Sequence, residues 1–419
     1  MNVVNPFKEK GIKIEKTYEN WKKLAAKPYN PKTTSPFTKV RIILLNGAEF
    51  EANWYSHQFH RHCNNNDLRR EIALIRRREQ QQQKKIAALK PIEETVLQHT
   101  MGYEQLAVEL TAILAQHVKD KYVKKALDFA LLEDFDHVYR FGNLLEMDEG
   151  IKAETLLGCY TEIMPGRPTI AEHRYPADEI KKFINSESAD LFTKLTVNII
   201  TAAEQQTMNF YMNQANFYKN ELGRKLFSEI AMIEEQHVSQ YGSLLDTNCS
   251  WLEGLLMHEY VECYLYYSCY EDESDEYIKE IWHNFYYEEC GHLQKVAELL
   301  KKYEGKNWID VFPCGGDFPE LLKFGGNKEY IRKVLKQTGC HTADLEDYAK
   351  ISDMPENANY FKYNTTVNKP ISEVASHEVI EKHIKKYGED YRFEESQNPI
   401  PTLRDRTQDN VDFARTLKK

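Results

Sequence analysis

Over residues 93–303 the apolar positions recur at three- and four-residue intervals, as on one face of a helix. The pattern breaks at regular places. Two helical stretches fill 93–147, with a break near Asp120 and Gly150 as a stop. Two more fill 188–246, broken near Asn220, with Ser186 or Ser188 available as the first cap. A third pair fills 250–303, opened by the capping box Ser250–Glu253 and closed by Gly305. Residues 151–187 hold Pro165, Gly166, Pro168 and Pro176 and read as a long connection. Upstream, 67–89 reads as a long basic helix with Asp67 as N-cap and Pro91 behind it. Residues 1–64 read as irregular, with one strand or helical turn within 40–55. Beyond 306 only weak helices appear, at 328–337 and 377–387, as a wrapping tail or small accessory region. Nothing supports a sheet of any size, so the expected class is all-α. The expected division is an N-terminal extension (1–92), a helical bundle (93–305) and a C-terminal accessory region (306–419).

Composition narrows the function. With 419 residues, 42% hydrophobic and 29% charged, the chain can bury a sizeable core. A net charge of −10 argues against nucleic acid as the main partner. No run of 18 apolar residues exists, so no membrane span is expected, and residues 1–39 show no secretory signal. The eight cysteines contain no Cys-x-x-Cys pair, which suggests reduced thiols and a cytoplasmic protein rather than a disulfide framework or zinc ribbon.

The chemistry lies in an internal repeat. Residues 131–146 align with 231–246 after a shift of 100, and 286–301 align with the same stretch after a shift of 55. A carboxylate-x-x-His unit therefore occurs three times: Asp134 with His137, Glu234 with His237, and Glu289 with His292. Residues three apart share a helix face. One more carboxylate precedes each unit. Glu104, Glu204 and Glu259 precede His137, His237 and His292 at one identical spacing. Asp120, Asn220 and Asp275 follow those glutamates at a second constant spacing, about midway to the histidine. Each of those three residues suits the N-cap of a second helix. Two arms of equal length bring the lone Glu and the paired carboxylate and His to the same height above the turn. A Glu on one helix and Glu-x-x-His on the next, used twice around two metals, is the hairpin of a carboxylate-bridged dimetal bundle.

On these residues the chain resembles the ferritin-like superfamily, which includes the rubrerythrins and related di-iron and di-manganese proteins. The resemblance covers residues 93–303. It implies a ferritin-like four-helix bundle, here extended by a third hairpin. Carried over by position, it implies a main metal site of Glu104, Asp134, His137, Glu204, Glu234 and His237. Asp134 departs from the usual Glu. The long crossover 148–187 favours hairpins one and two as partners. Hairpin three, with Glu259, Glu289 and His292, is expected either to complete an additional site with a symmetry mate or the second hairpin, or to be a decayed copy.

The resemblance implies two Fe ions, with Mn as the alternative, and an oxidoreductase acting on O2 or peroxide. Without rubredoxin-like cysteine pairs, an electron donor would be a separate protein. A di-manganese catalase, an iron-binding protein without turnover and a purely structural helical protein remain alternatives. A homo-oligomer is expected. Four smaller features stay open between chemistry and packing. They are the histidine-rich stretch 57–63, Cys290 beside His292, the basic helix, and Tyr211 and Tyr266, each seven residues after a candidate Glu.

Overall fold

The computed structural model describes residues 4–158, 160–167, 169–339, 341–370 and 373–388. Among these the chain is mostly helical. The long helices are α1 (Pro36–His62), α2 (Asn66–Ala87), α3 (Val96–His117), α4 (Lys121–Glu149), α5 (Leu191–Phe217), α6 (Glu221–Ser243), α7 (Trp251–Asp272) and α8 (Glu276–Glu304). Shorter helices follow as α9 (Lys328–Thr338), α10 (Asn359–Val367) and α11 (Ala375–Tyr387). One antiparallel hairpin, β1 (His341–Asp344) with β2 (Asp347–Lys350), lies between α9 and α10, with His341 opposite Lys350 and Asp344 opposite Asp347.

The breaks fall where the side chains can cap. Asp120, Asn220 and Asp275 each accept hydrogen bonds from backbone N–H groups of the following first turn. Asn65 does the same for α2, with Asp67 inside the first turn rather than at the cap. Both expected stops, Gly150 and Gly305, are left-handed, at φ 69° and 70°. At the start of α5 the accepting side chain is Asp190, which takes Phe192 N–H and Thr193 N–H, rather than Ser186 or Ser188.

The N-terminal region departs from expectation. Residues 40–55, expected to hold a strand or a single turn, lie inside the 27-residue helix α1. Its stretch Val40–Leu45 is buried all round, so no amphipathic stripe marks it as a helix. The histidine-rich stretch is the polar end of α1.

The chain divides into two compact units, a different partition from the three successive segments expected. Unit 1 takes Met1–Glu94, Ile184–Ala203 and Asp246–Phe324. Within it α1 packs on α2 and α7, and α8 packs on α7 and α2. Buried Arg41 on α1 pairs with Asp272 at 2.8 Å and Glu273 at 3.0 Å, at the end of α7. The basic helix α2 is thus a core element. Its Arg78 is fully buried and bonds Glu288 of α8 at 2.7 Å. The segment before α1 crosses α8 at Gly291, where Ile12 N–H donates to the Tyr287 carbonyl at 2.9 Å.

Unit 2 takes Thr95–Phe183, Glu204–Leu245 and Gly325–Lys419. There α3 packs on α4, α4 on α6, and α11 on both α4 and α6. The C-terminal half of α5 joins them through aromatic contacts. Phe210 stacks on Tyr103 of α3 at 4.3 Å, and Tyr211 meets Phe141 of α4 and Phe227 of α6 at 5.2 and 5.7 Å. The described part of the C-terminal region bonds to α4 and to the connection. His383 of α11 bonds Glu146 of α4 at 2.9 Å, and buried Arg167 reaches the His341 carbonyl in β1 at 3.0 Å.

The close crossing in unit 1 gives a test of packing. A Cβ on Gly291 would lie 2.0 Å from the Ile12 carbonyl oxygen, which is backbone and cannot step aside cheaply. Gly291→Ala is expected to cost about 1–3 kcal/mol by overpacking. Chemical denaturation measures it, and an unchanged midpoint would refute the crossing.

Candidate metal centre

In unit 2 the four helices bring all six expected residues to one level. Glu104 stands on α3, Asp134 and His137 on α4, Glu204 on α5, and Glu234 and His237 on α6. All are at most 1% exposed. Their ligand atoms form two overlapping groups that share Glu234: Asp134, Glu204, Glu234 and His237 in one, Glu104, His137 and Glu234 in the other.

Glu234 occupies the middle. Its Oε1 lies 3.1 Å from His137 Nδ1 and its Oε2 lies 3.0 Å from His237 Nδ1. Each imidazole thus meets one oxygen of the same carboxylate. His237 Nδ1 also lies 3.3 Å from Asp134 and 3.7 Å from Glu204, and His137 Nδ1 lies 3.9 Å from Glu104.

The arrangement is electrostatically unfavourable without a cation. Four carboxylates face inward at full burial, and neither oxygen of Glu204 has a hydrogen-bond partner, nor does Oε2 of Glu104 or Nε2 of His137. Burial, with added repulsion from Glu234 and Asp134, holds Glu104 well above the usual carboxylate range. Burial and then the Glu204 charge push Asp134 up to about 7. Glu234 is also raised, by burial first, with His237 opposing and Glu204 and Asp134 adding. His137 is pushed well down by burial, with Arg140 next. For His237 burial works downward, but Asp134 and the bonds to neighbouring carboxylates prevail and raise it. Orphaned buried oxygens plus two imidazoles form a donor set that suits a first-row divalent metal.

Around this lies a partnered layer that sequence reasoning missed. Glu133 accepts from His237 Nε2 at 2.7 Å, which leaves Nδ1 facing the carboxylates. Burial pushes Glu133 up, but Arg174 above all, then the His237 bond and Arg167, hold it down at about 2. Arg174 in turn pairs with Glu179 at 2.9 Å. Glu133 immediately precedes Asp134, yet Arg174 and Glu179 come from the connection, where no periodicity betrays them. Tyr211 Oη donates to Glu104 Oε1 at 2.5 Å, so that tyrosine is a hydrogen-bond partner of the cluster.

The residues of hairpin three are elsewhere. Glu259, Glu289 and His292 lie in unit 1, on α7 and α8, and are fully buried. Their companions are not the second hairpin but α1 and α2, through Glu49, Glu79 and Gln82. The relevant groups are Glu79 with Glu259 and His292, and Glu259 with Glu262 and Glu289. Tyr266 Oη donates to Glu49 Oε1. Cys290 is buried among packed side chains. Neither it nor the histidine-rich stretch belongs to a metal-competent group among the described residues.

Comparison with known proteins returns no match to any protein family, curated protein or solved structure. No described helix is long and apolar enough to cross a membrane.

The shifts fix how stability depends on pH. An acid whose pKa is raised on folding takes up protons as it folds. The stability it contributes is complete below its unfolded pKa and is lost as pH rises through the folded one. Glu104, Asp134, Glu234 and His237 all act in that sense. His137 is lowered and opposes them only below its ordinary value of 6.5. From pH 6.5 to about 8 the signs therefore agree, and chelated protein should melt a few degrees lower at the upper end. Thermal unfolding checks this. Bound metal should flatten the slope, and a melting temperature that rises with pH would contradict the account.

Proposed function

We propose that the unit 2 cluster holds a carboxylate-bridged pair of iron ions in a ferritin-like bundle, and that the protein is an oxidoreductase acting on O2 or peroxide. The observation that carries this reading is the place of Glu234, one oxygen toward each histidine. A carboxylate so placed can span two cations, each capped by one imidazole. When bound, such a pair supplies redox equivalents and open positions for a small oxidant.

The chain's own residues supply the rest. Glu104 and His137 would hold one ion, and Asp134, Glu204 and His237 the other. Asp134 is one methylene shorter than Glu, so it reaches less far from α4 and favours the His237 side, where its nearest oxygen lies 3.3 Å from Nδ1. Glu133 orients the His237 ring and stabilises positive charge on it. Tyr211 orients Glu104 through its hydroxyl, which donates to Glu104 Oε1. Aromatic rings at Phe141, Phe227 and Tyr241, all fully buried, keep bulk water from the cluster. Reducing equivalents would come from a separate donor.

The test is anaerobic Fe(II) loading of the full chain, then exposure to O2 or peroxide while iron oxidation is followed. Wild-type protein should oxidise its iron, and Glu234→Ala should lower that rate by about 10-fold or more. An unchanged rate would refute the bridging role. Manganese in natively purified protein, with peroxide turnover and no reductant, would favour the catalase alternative.

A further inference from the structure

The hairpin pattern occurs a fourth time, in unit 1. Glu49 precedes Gln82 at the spacing that separates Glu104 from His137, and Glu79 lies three before Gln82. The capping Asn65 stands where Asp120 stands in the first hairpin. Shifted by 55 residues, Glu49, Glu79 and Gln82 fall on Glu104, Asp134 and His137. The same shift relates Glu259, Glu289 and His292 to Glu204, Glu234 and His237. Even the tyrosine is repeated, since Tyr266 bonds Glu49 within unit 1 as Tyr211 bonds Glu104 within unit 2.

The correspondence fails at one corner. His292 Nδ1 meets Glu289 Oε2 at 2.9 Å, as its counterpart meets Glu234. On the other side Gln82 Nε2 donates to Glu289 Oε1, where an imidazole would stand. An amide N–H is not a metal donor. Glu262, which has no carboxylate counterpart in unit 2, groups with Glu259 and with the same Glu289 that Gln82 bonds. That corner offers oxygen alone. The opposite half keeps its nitrogen and both carboxylates, Glu79 and Glu259.

The cluster is also unsatisfied as it stands. Glu79 and Glu259 face each other as a carboxyl pair, no other donor reaches their oxygens or those of Glu262, and Gln82 Oε1 lacks a partner too, all at no more than 1% exposure. Arg78, the buried cation of this region, is engaged by Glu288. Five inward carboxylates with one histidine need protons or a cation.

We propose that unit 1 is a second and unequal metal centre, in which Glu79, Glu259 and His292 hold one divalent transition-metal ion. The all-oxygen corner at Gln82 and Glu262 suits only a hard, weakly held ion such as Mg2+. Gln82 is the residue that reduces the pair to one tight ion.

Co(II) is the probe. The chelated full chain is loaded, desalted, and its metal counted by mass spectrometry, with helical content and melting recorded for each variant. Wild type should retain about three ions, two in unit 2 and one in unit 1. His292→Ala and, separately, the near-isosteric Glu259→Gln should each lose about one, while Gln82→His should gain about one. The unit 1 ion should survive Glu234→Ala. If unit 2 holds nothing, the wild-type count becomes about one and still vanishes with His292→Ala, so the two readings fail separately. A count unchanged in both folded His292→Ala and Glu259→Gln overturns the second centre. A folded Gln82→His chain that gains nothing overturns the role given to Gln82.

Discussion

Four carboxylates packed around two imidazoles, away from water, are the constraint that organises unit 2. Each buried negative charge costs several kcal/mol of desolvation, and its neighbours add repulsion. The fold tolerates this because the helices are held by features outside the cluster. Side-chain caps at Asp120 and Asn220 set where the second arms begin. Stacked rings on α3 and α5 fix the height of Glu104 against Glu204. An ion-paired layer of Glu133, Arg174 and Glu179 absorbs charge next to the site without neutralising the site itself. A chain selected for stability alone would fill this space with apolar side chains.

The same constraint explains the contrast between the units. Unit 2 keeps an imidazole at both ends of its central carboxylate. Unit 1 keeps one and sets an amide at the other, so Glu289 bonds to protein where Glu234 faces a second potential metal position. Two nearly superimposable residue patterns thus differ in chemistry through one donor atom.

Much of this is legible in the sequence alone. The turn residues, the three carboxylate-x-x-His units and the preceding glutamates were readable because hairpin geometry forces equal spacing on both arms. Glu104, Asp134, His137, Glu204, Glu234 and His237 do converge. What escaped was the fourth hairpin, for two physical reasons. The first arm, α1, is buried all round over Val40–Leu45, which erases the periodicity that marks a surface helix. The second arm carries Gln82 where the repeat has histidine, so it read only as a basic helix. With any ligand-sized polar side chain allowed at that position, the hairpin stands at the same 55-residue shift. The missing hairpin then misassigned the partner of Glu259, Glu289 and His292. The ion-paired layer from the connection was not readable, since its residues are joined to the site only by tertiary folding.

On the proposed reading Glu234 would lie between two metal ions. Anomalous diffraction at the metal edge, on crystals of natively purified and metal-loaded protein, decides whether it does. Two peaks are expected within about 4 Å of each other, one beside each of His137 and His237, with Glu234 touching both. A single peak in unit 2, or a pair that Glu234 does not join, would rule out the bridge.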